Sequence, residues 1–141
     1  MSQHIYLNVY DYHNINKLTD FLGLGFYHLG IEIYGTEYSF NNVDGIFTVS
    51  PKSNSDYPYR ETIYLGSTNK SYYDYYNILT NLKNEFNTKS FDVIKNNSVH
   101  FCTSLSNQLE LSIPSKFNRV NNMIPDFFKK EEIKEFISKT E

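Results

Sequence analysis

Cysteine occurs once in this 141-residue chain, at Cys102. A lone cysteine cannot close an internal disulfide, so the fold must rest on its core, and a reducing compartment suits it. A strong excess of either charge is missing too. Thirteen Lys and Arg against sixteen Asp and Glu leave a net −3, which gives no basic footprint for nucleic acid. No apolar run approaches the roughly 20 residues that span a bilayer. The opening "MSQHIYLNVYDYH" has no basic segment followed by an apolar one, so no secretory signal is expected. No Cys/His cluster has zinc-ligand spacing, and neither a P-loop nor HExxH occurs, so neither a metal nor a cofactor is expected. The expectation is a soluble chain of the cytoplasm, with or without the nucleus.

What the chain has in quantity is aromatic surface: 13 Tyr and 11 Phe in a composition that is 40% hydrophobic. That is too apolar for a disordered chain and enough for one proper core. "IYLNVYDY" reads as a first strand. "NINKLTDFLGLG" reads as an irregular or helical link broken by Gly23 and Gly25. "FYHLGIEIYG" alternates, placing Tyr27, Leu29, Ile31 and Ile33 on a core face and His28, Gly30 and Glu32 on the other. A tight turn at Gly35 and Thr36 should return the chain as "TEYSF". "GIFTVSP", stopped by Pro51, and "ETIYLGST" are further strands, with the polar loop "KSNSDYPYR" between them.

Beyond residue 70 the period becomes helical. Tyr72, Tyr75, Tyr76, Leu79, Leu82 and Phe86 recur at helix spacing, with Ser71 as N-cap and Asp74 completing a capping box. "KSFDVIKNN" fits strand or helix equally. In "SVHFCTSLSNQLEL", Val99, Cys102, Leu105 and Leu109 share a face, with Ser98 as the cap. "PDFFKKEEIKEFISKTE" reads as a terminal helix beginning near Pro125. Strands first and helices after imply an α+β fold.

Of four histidines, His4 and His13 lack a partner pattern, and His100 lies two residues from Ser98, pointing away from it on a helix. His28 differs: it interrupts an apolar strand beside Gly30, and a strand glycine marks close approach of another group. A core histidine bonded to a carbonyl is the plainer reading. Glu32, on the same strand face, is a candidate electrostatic neighbour or a surface carboxylate. The tyrosine run "SYYDYYNI" is core with hydroxyls reaching water sooner than a ligand platform.

The stretches "YLNVYD", "GLGFYHLGIEIYGTEYSF", "GIFTVSP", "LGST", "NNSVHF" and "SIPSKFNRV" together resemble the PPPDE family. These are permuted papain-fold peptidases that include the desumoylating isopeptidases (DeSI), and the chain is most similar to the second DeSI type. The resemblance runs over about residues 5–120. It implies a compact α+β papain-like domain over 1–120, with 121–141 as a helical extension. It also implies that His28 is the catalytic histidine of a GxxHxGxE segment, and that residues 97–101 match the family's Asn-Cys-Asn-His-Phe.

Two positions depart from that pattern: Ser98 stands where the family carries its nucleophilic cysteine, and Val99 replaces the following Asn. A thiol of pKa ~8.5 can rest as a thiolate beside an imidazolium and a helix N-terminus; a hydroxyl must lose its proton to the base during attack. The resemblance thus implies a ubiquitin- or SUMO-directed hydrolase with weak or lost activity. In it His28 is the base, Ser98 holds the nucleophile's seat, and the turn at Asn97 and Val99 supplies oxyanion contacts. Cys102, one turn deeper, is an alternative thiol or a small apolar filler. A non-catalytic module binding ubiquitin-like modifiers or other extended peptides is the rival reading, and a protein S-acyl thioesterase a further one. The partner implied is a ubiquitin-like modifier or modified protein, and the family suggests a homodimer.

Overall fold

A computed structural model describes residues 2–11, 27–93 and 95–118. The expected link at 14–25 and the terminal helix within 121–141 lie outside the described residues, as does His13. Strands β1 (Gln3–Asp11), β2 (Tyr27–Ile33), β3 (Thr36–Asn41), β4 (Gly45–Val49) and β5 (Tyr59–Thr68) come first. Helices α1 (Tyr72–Leu82) and α2 (Ser98–Gln108) follow. The strands form one sheet in the order β4-β3-β2-β1-β5, and every neighbouring pair is antiparallel. The fold is α+β, as the order of sequence patterns implies.

The turn joining β2 to β3 is Tyr34–Gly35, one residue earlier than the sequence suggested. Both residues have positive φ, 54° and 72°, the type I′ geometry whose twist suits a two-residue hairpin. Thr36 is already paired with Ile33. The undecided stretch around Asp92 is neither strand nor helix but a turn closed by the bridge Asp92↔Asn96.

Period-two alternation divides the sheet into two faces. Ile5, Leu7 and Val9 of β1, Leu29, Ile31 and Ile33 of β2, and Phe40 of β3 face the helices and form the core. Phe40 packs edge-on against Phe86 and tilted against Phe101, and Tyr38 meets Tyr75 edge-on. From the helices come Tyr75, Leu79, Leu82, Phe101, Cys102 and Leu105. Helix α1 starts as expected, with the reciprocal Ser71–Asp74 capping box formed. Its stripe is narrower than the spacing suggested: Tyr72 and Tyr76 are 59% and 57% exposed. Tyr75, Leu79 and Leu82 are its buried line, with Ile78 packed partly buried beside them, and Phe86 reaches the core from beyond the helix.

The opposite face is polar yet also buried at its centre. Asn8, Tyr10, His28, Glu37 and Ser39 are each at most 1% exposed. The loop after β4 lies across them, tied down by Lys52 N–H to Glu37 and by Asn54 N–H to the Tyr10 hydroxyl.

Candidate active site

The β2–β3 ladder stops early. Its last paired residues are Ile31 and Tyr38, so a continued register would set Gly30 opposite Ser39 and then Leu29 opposite Phe40, the next pair to exchange backbone hydrogen bonds. That rung is filled by two serine hydroxyls instead. The Leu29 N–H donates to Ser98 Oγ at 3.1 Å, and the Leu29 carbonyl accepts from Ser39 Oγ at 2.6 Å. Buried backbone groups must find partners, and here side chains from α2 and β3 supply them. The gap between the strands is therefore where the start of α2 meets the sheet, at the residue following His28.

His28 pairs across the sheet with Tyr10, and aromatic rings enclose it. The Tyr57 ring stacks on it with centroids 4.4 Å apart and planes inclined 24°, and Tyr10 stands edge-on at 5.9 Å. Its Nε2 lies 3.0 Å from Ser39 Oγ and 3.3 Å from Asn54 Nδ2. Burial disfavours the imidazolium and lowers the His28 pKa to about 3. At neutral pH the ring is uncharged: a base able to receive a proton, not a cation able to hold a resting anion beside it.

Glycine at position 30 is required by what crosses it. A Cβ there would lie 2.7–2.8 Å from Cγ, Cδ and Oε2 of Glu37. Across this bare stretch of β2, the β3 side chain of Glu37 reaches β1. Its carboxylate accepts from Asn8 Nδ2 at 2.7 Å, from the Tyr10 hydroxyl at 2.8 and 2.9 Å, and from Lys52 N–H at 3.0 Å. Thr62 of β5 extends the row by donating to Asn8 Oδ1. One polar row thus crosses four strands, and through Tyr10 it buttresses the His28 ring. Glu32 bonds Asn8 and the half-exposed Lys52; the carboxylate that matters to this face is Glu37.

At the other side of the gap, the cap of α2 is Asn97 and not Ser98. Asn97 Oδ1 accepts from Val99 N–H at 2.9 Å and from His100 N–H at 3.4 Å, and its Nδ2 donates to the Val93 carbonyl. His100 Nδ1 accepts from Asn97 N–H, closing the capping box and giving this histidine a structural task. Freed from capping, the Ser98 hydroxyl is turned toward β2 and is 1% exposed. Val99 is a core residue whose N–H the cap already engages. Cys102 is fully buried in the core, where burial raises its thiol well above the ordinary range, as a filler and not a nucleophile requires. His4 bonds the Tyr64 hydroxyl, remote from this site in sequence and strand position. Among the described residues no group of His, Cys, Asp and Glu could hold a metal ion, and no helix is long and apolar enough to cross a membrane.

Sequence reasoning named His28 and Ser98 and missed Ser39, Asn54, Tyr57 and Glu37. Alternation along "TEYSF" places Glu37 and Ser39 on the His28 face once the hairpin register is known. Nothing in "KSNSDYPYR" marks Asn54 or Tyr57 as ring contacts.

Three curated relatives are similar over most of this chain. A protein of Caenorhabditis elegans named desumoylating isopeptidase 1 homolog is 30% identical over 126 residues, 83% of this chain and 38% of the relative. A DeSI-like protein of Arabidopsis thaliana is 29% identical, covering 82% of this chain and 54% of its own length. The DeSI-like protein sdu1 of Schizosaccharomyces pombe is 33% identical, with shares of 84% and 64%. The chain therefore spans between about two-fifths and two-thirds of these relatives' lengths. The profile of the PPPDE putative peptidase domain matches residues 3–136; with that match across nearly all its length, the chain belongs to the PPPDE family, as a DeSI-type member.

Proposed function

We propose that this protein acts on ubiquitin-like isopeptide conjugates through a serine in the seat of a cysteine, and that it does so slowly. The observation that carries the proposal is the Ser98 hydroxyl held 3.1 Å from the Leu29 amide, at the residue after a buried, neutral His28. In the reaction, Ser98 Oγ bonds to the isopeptide carbonyl carbon while its proton passes to His28. Collapse of the tetrahedral oxyanion breaks the C–N bond, and the lysine amine leaves with the proton from His28. Water then hydrolyses the ester at Ser98 by the reverse sequence of proton transfers. Backbone N–H groups at the start of α2 suit the oxyanion. Val99 contributes only if the Asn97 side chain releases its N–H.

Three features make the reaction slow. The hydroxyl cannot rest as an anion, and a neutral ring would not stabilise one. The Leu29 N–H occupies a lone pair of the nucleophile. Oxygen is smaller than sulfur, and about 1 Å of misplacement costs on the order of a hundredfold. That engaged lone pair also favours a second reading, a module that holds a ubiquitin-like tail without cleaving it. The unpaired Cys102 suits the cytoplasm or nucleus for either role.

The test is hydrolysis of fluorogenic ubiquitin and SUMO C-terminal conjugates by the native chain, Ser98→Cys and His28→Gln. Slow native turnover, raised on the order of a hundredfold by Ser98→Cys and lost with His28→Gln, is expected. Native turnover as fast as that of Ser98→Cys would refute the weakened-hydrolase reading. Binding of a modifier without turnover by either protein would establish the holding role, and neither binding nor turnover would overturn both.

A further inference from the structure

Ser39 and Asn54 both face the same nitrogen of His28, and they make opposite demands on it. A neutral imidazole carries one N–H and one lone pair, so its partners decide which nitrogen holds the proton. Ser39 has a single hydrogen, and its 2.6 Å contact with the Leu29 carbonyl can only be a donated bond. Its oxygen, 3.0 Å from His28 Nε2, must then accept from that nitrogen. Asn54 asks the reverse. Its Oδ1 accepts from Asp56 N–H at 3.0 Å, which turns Nδ2 toward His28 Nε2 at 3.3 Å as a donor. The shorter pair of contacts belongs to Ser39, and the chain from Nε2–H through Ser39 Oγ to the Leu29 carbonyl has every hydrogen directed at an acceptor.

We propose that Ser39 is a positioning residue that holds His28 in its Nε2–H tautomer and so places the basic lone pair on Nδ1. The inference rests on the proposed reaction, in which His28 must accept the Ser98 proton. Ser39 and Ser98 then act on the two sides of one peptide rung. Ser39 satisfies the Leu29 carbonyl while fixing the base, and Ser98 satisfies the Leu29 N–H while presenting the nucleophile. Asn54 is a competing partner at the same nitrogen and would favour the Nδ1–H form were Ser39 removed, a form with no lone pair on Nδ1 to receive a proton.

The experiment is nitrogen-15 NMR of the His28 ring in the full chain at neutral pH, for the native protein, Ser39→Ala, Ser39→Thr and Asn54→Ala. The expected native signature is Nε2–H, retained in Asn54→Ala and in the hydroxyl-bearing Ser39→Thr, and moved toward Nδ1–H in Ser39→Ala. A native Nδ1–H signature overturns the proposal, and so does a Ser39→Ala protein with an unchanged ring. If Ser39→Ala does not fold, the native and Asn54→Ala spectra decide between the partners. In the Ser98→Cys background, Ser39→Ala should lower kcat by about a hundredfold or more, the range of a general base, with KM little changed and Ser39→Thr restoring it. The ring spectrum does not depend on turnover. A tautomer shift without any activity would therefore fault the reaction and spare the positioning, and activity without a shift would do the reverse.

Discussion

Replacing Gly30 by alanine isolates the reason for the polar face. The backbone at Gly30 does not occupy the left-handed region, so conformation alone favours alanine by about 0.4–1 kcal/mol through the unfolded chain. Against this stands a Cβ placed 2.7–2.8 Å from three atoms of Glu37. Glu37 is fully buried and held from three directions by Asn8, Tyr10 and Lys52 N–H, so it is not a flexible tip that can swing aside. Overpacking costs about 1–3 kcal/mol, and loosening one bond to a buried charged acceptor adds about 1.5–3 kcal/mol. The steric and hydrogen-bond effects win, and Gly30→Ala should destabilise by about 1.5–5.5 kcal/mol in urea unfolding at neutral pH. A double-mutant cycle makes the argument specific. In a Glu37→Ala background the obstacle is gone, and the same Gly30→Ala change should be neutral or mildly stabilising. Neutrality of Gly30→Ala in the native background, or an equal cost in both, would refute the reasoning.

Three further outcomes follow from the same geometry. Because the folded pKa of His28 is about 3 and the unfolded value ~6.5, the unfolded chain binds the extra proton between them. The stability held by the neutral ring is full above ~6.5 and falls with pH toward about 3, so at pH 5 the native chain should lose about 2 kcal/mol more than His28→Gln relative to pH 8; equal losses would contradict this. The Tyr75 hydroxyl is buried without a hydrogen-bond partner among the described residues, so Tyr75→Phe should raise stability by about 1 kcal/mol in the same unfolding assay, and a loss of that size would contradict it. Asn97→Ala removes the true cap of α2 and its bond to Val93 and should cost about 1–2 kcal/mol, whereas a change under about 0.5 would return the capping role to another residue.

Elements governed by local pattern were legible in the sequence. Alternation along "HLGIEI" separates Leu29, Ile31 and Ile33 from His28 and Gly30 as the folded sheet does, and the Ser71–Asp74 box marks the start of α1. The cap of α2 was misplaced by one residue because Asn97 and Ser98 are both good caps locally. Only the unpaired Leu29 N–H, distant in sequence, draws Ser98 away from that task. The exposure of Tyr72 and Tyr76 is likewise a matter of which side of α1 meets the core, which helical period alone does not encode. His28 and Ser98 were reached through family resemblance. Ser39, Asn54 and Glu37 depend on where β2–β3 pairing ends and where the following loop lies, which are tertiary facts.

The central claim is that the imidazole of His28 acts on the side chain at position 98. Alkylation of the Ser98→Cys, Cys102→Ala chain as a function of pH tests it most directly, with and without His28→Gln. If the claim holds, the neutral ring takes the proton of the thiol at 98 as the bond forms, so near pH 7 alkylation is faster with His28 than with His28→Gln by about a hundredfold or more, the range of a general base. Superimposable profiles for the two proteins would mean that the ring and position 98 do not communicate, and the candidate active site would fall with them.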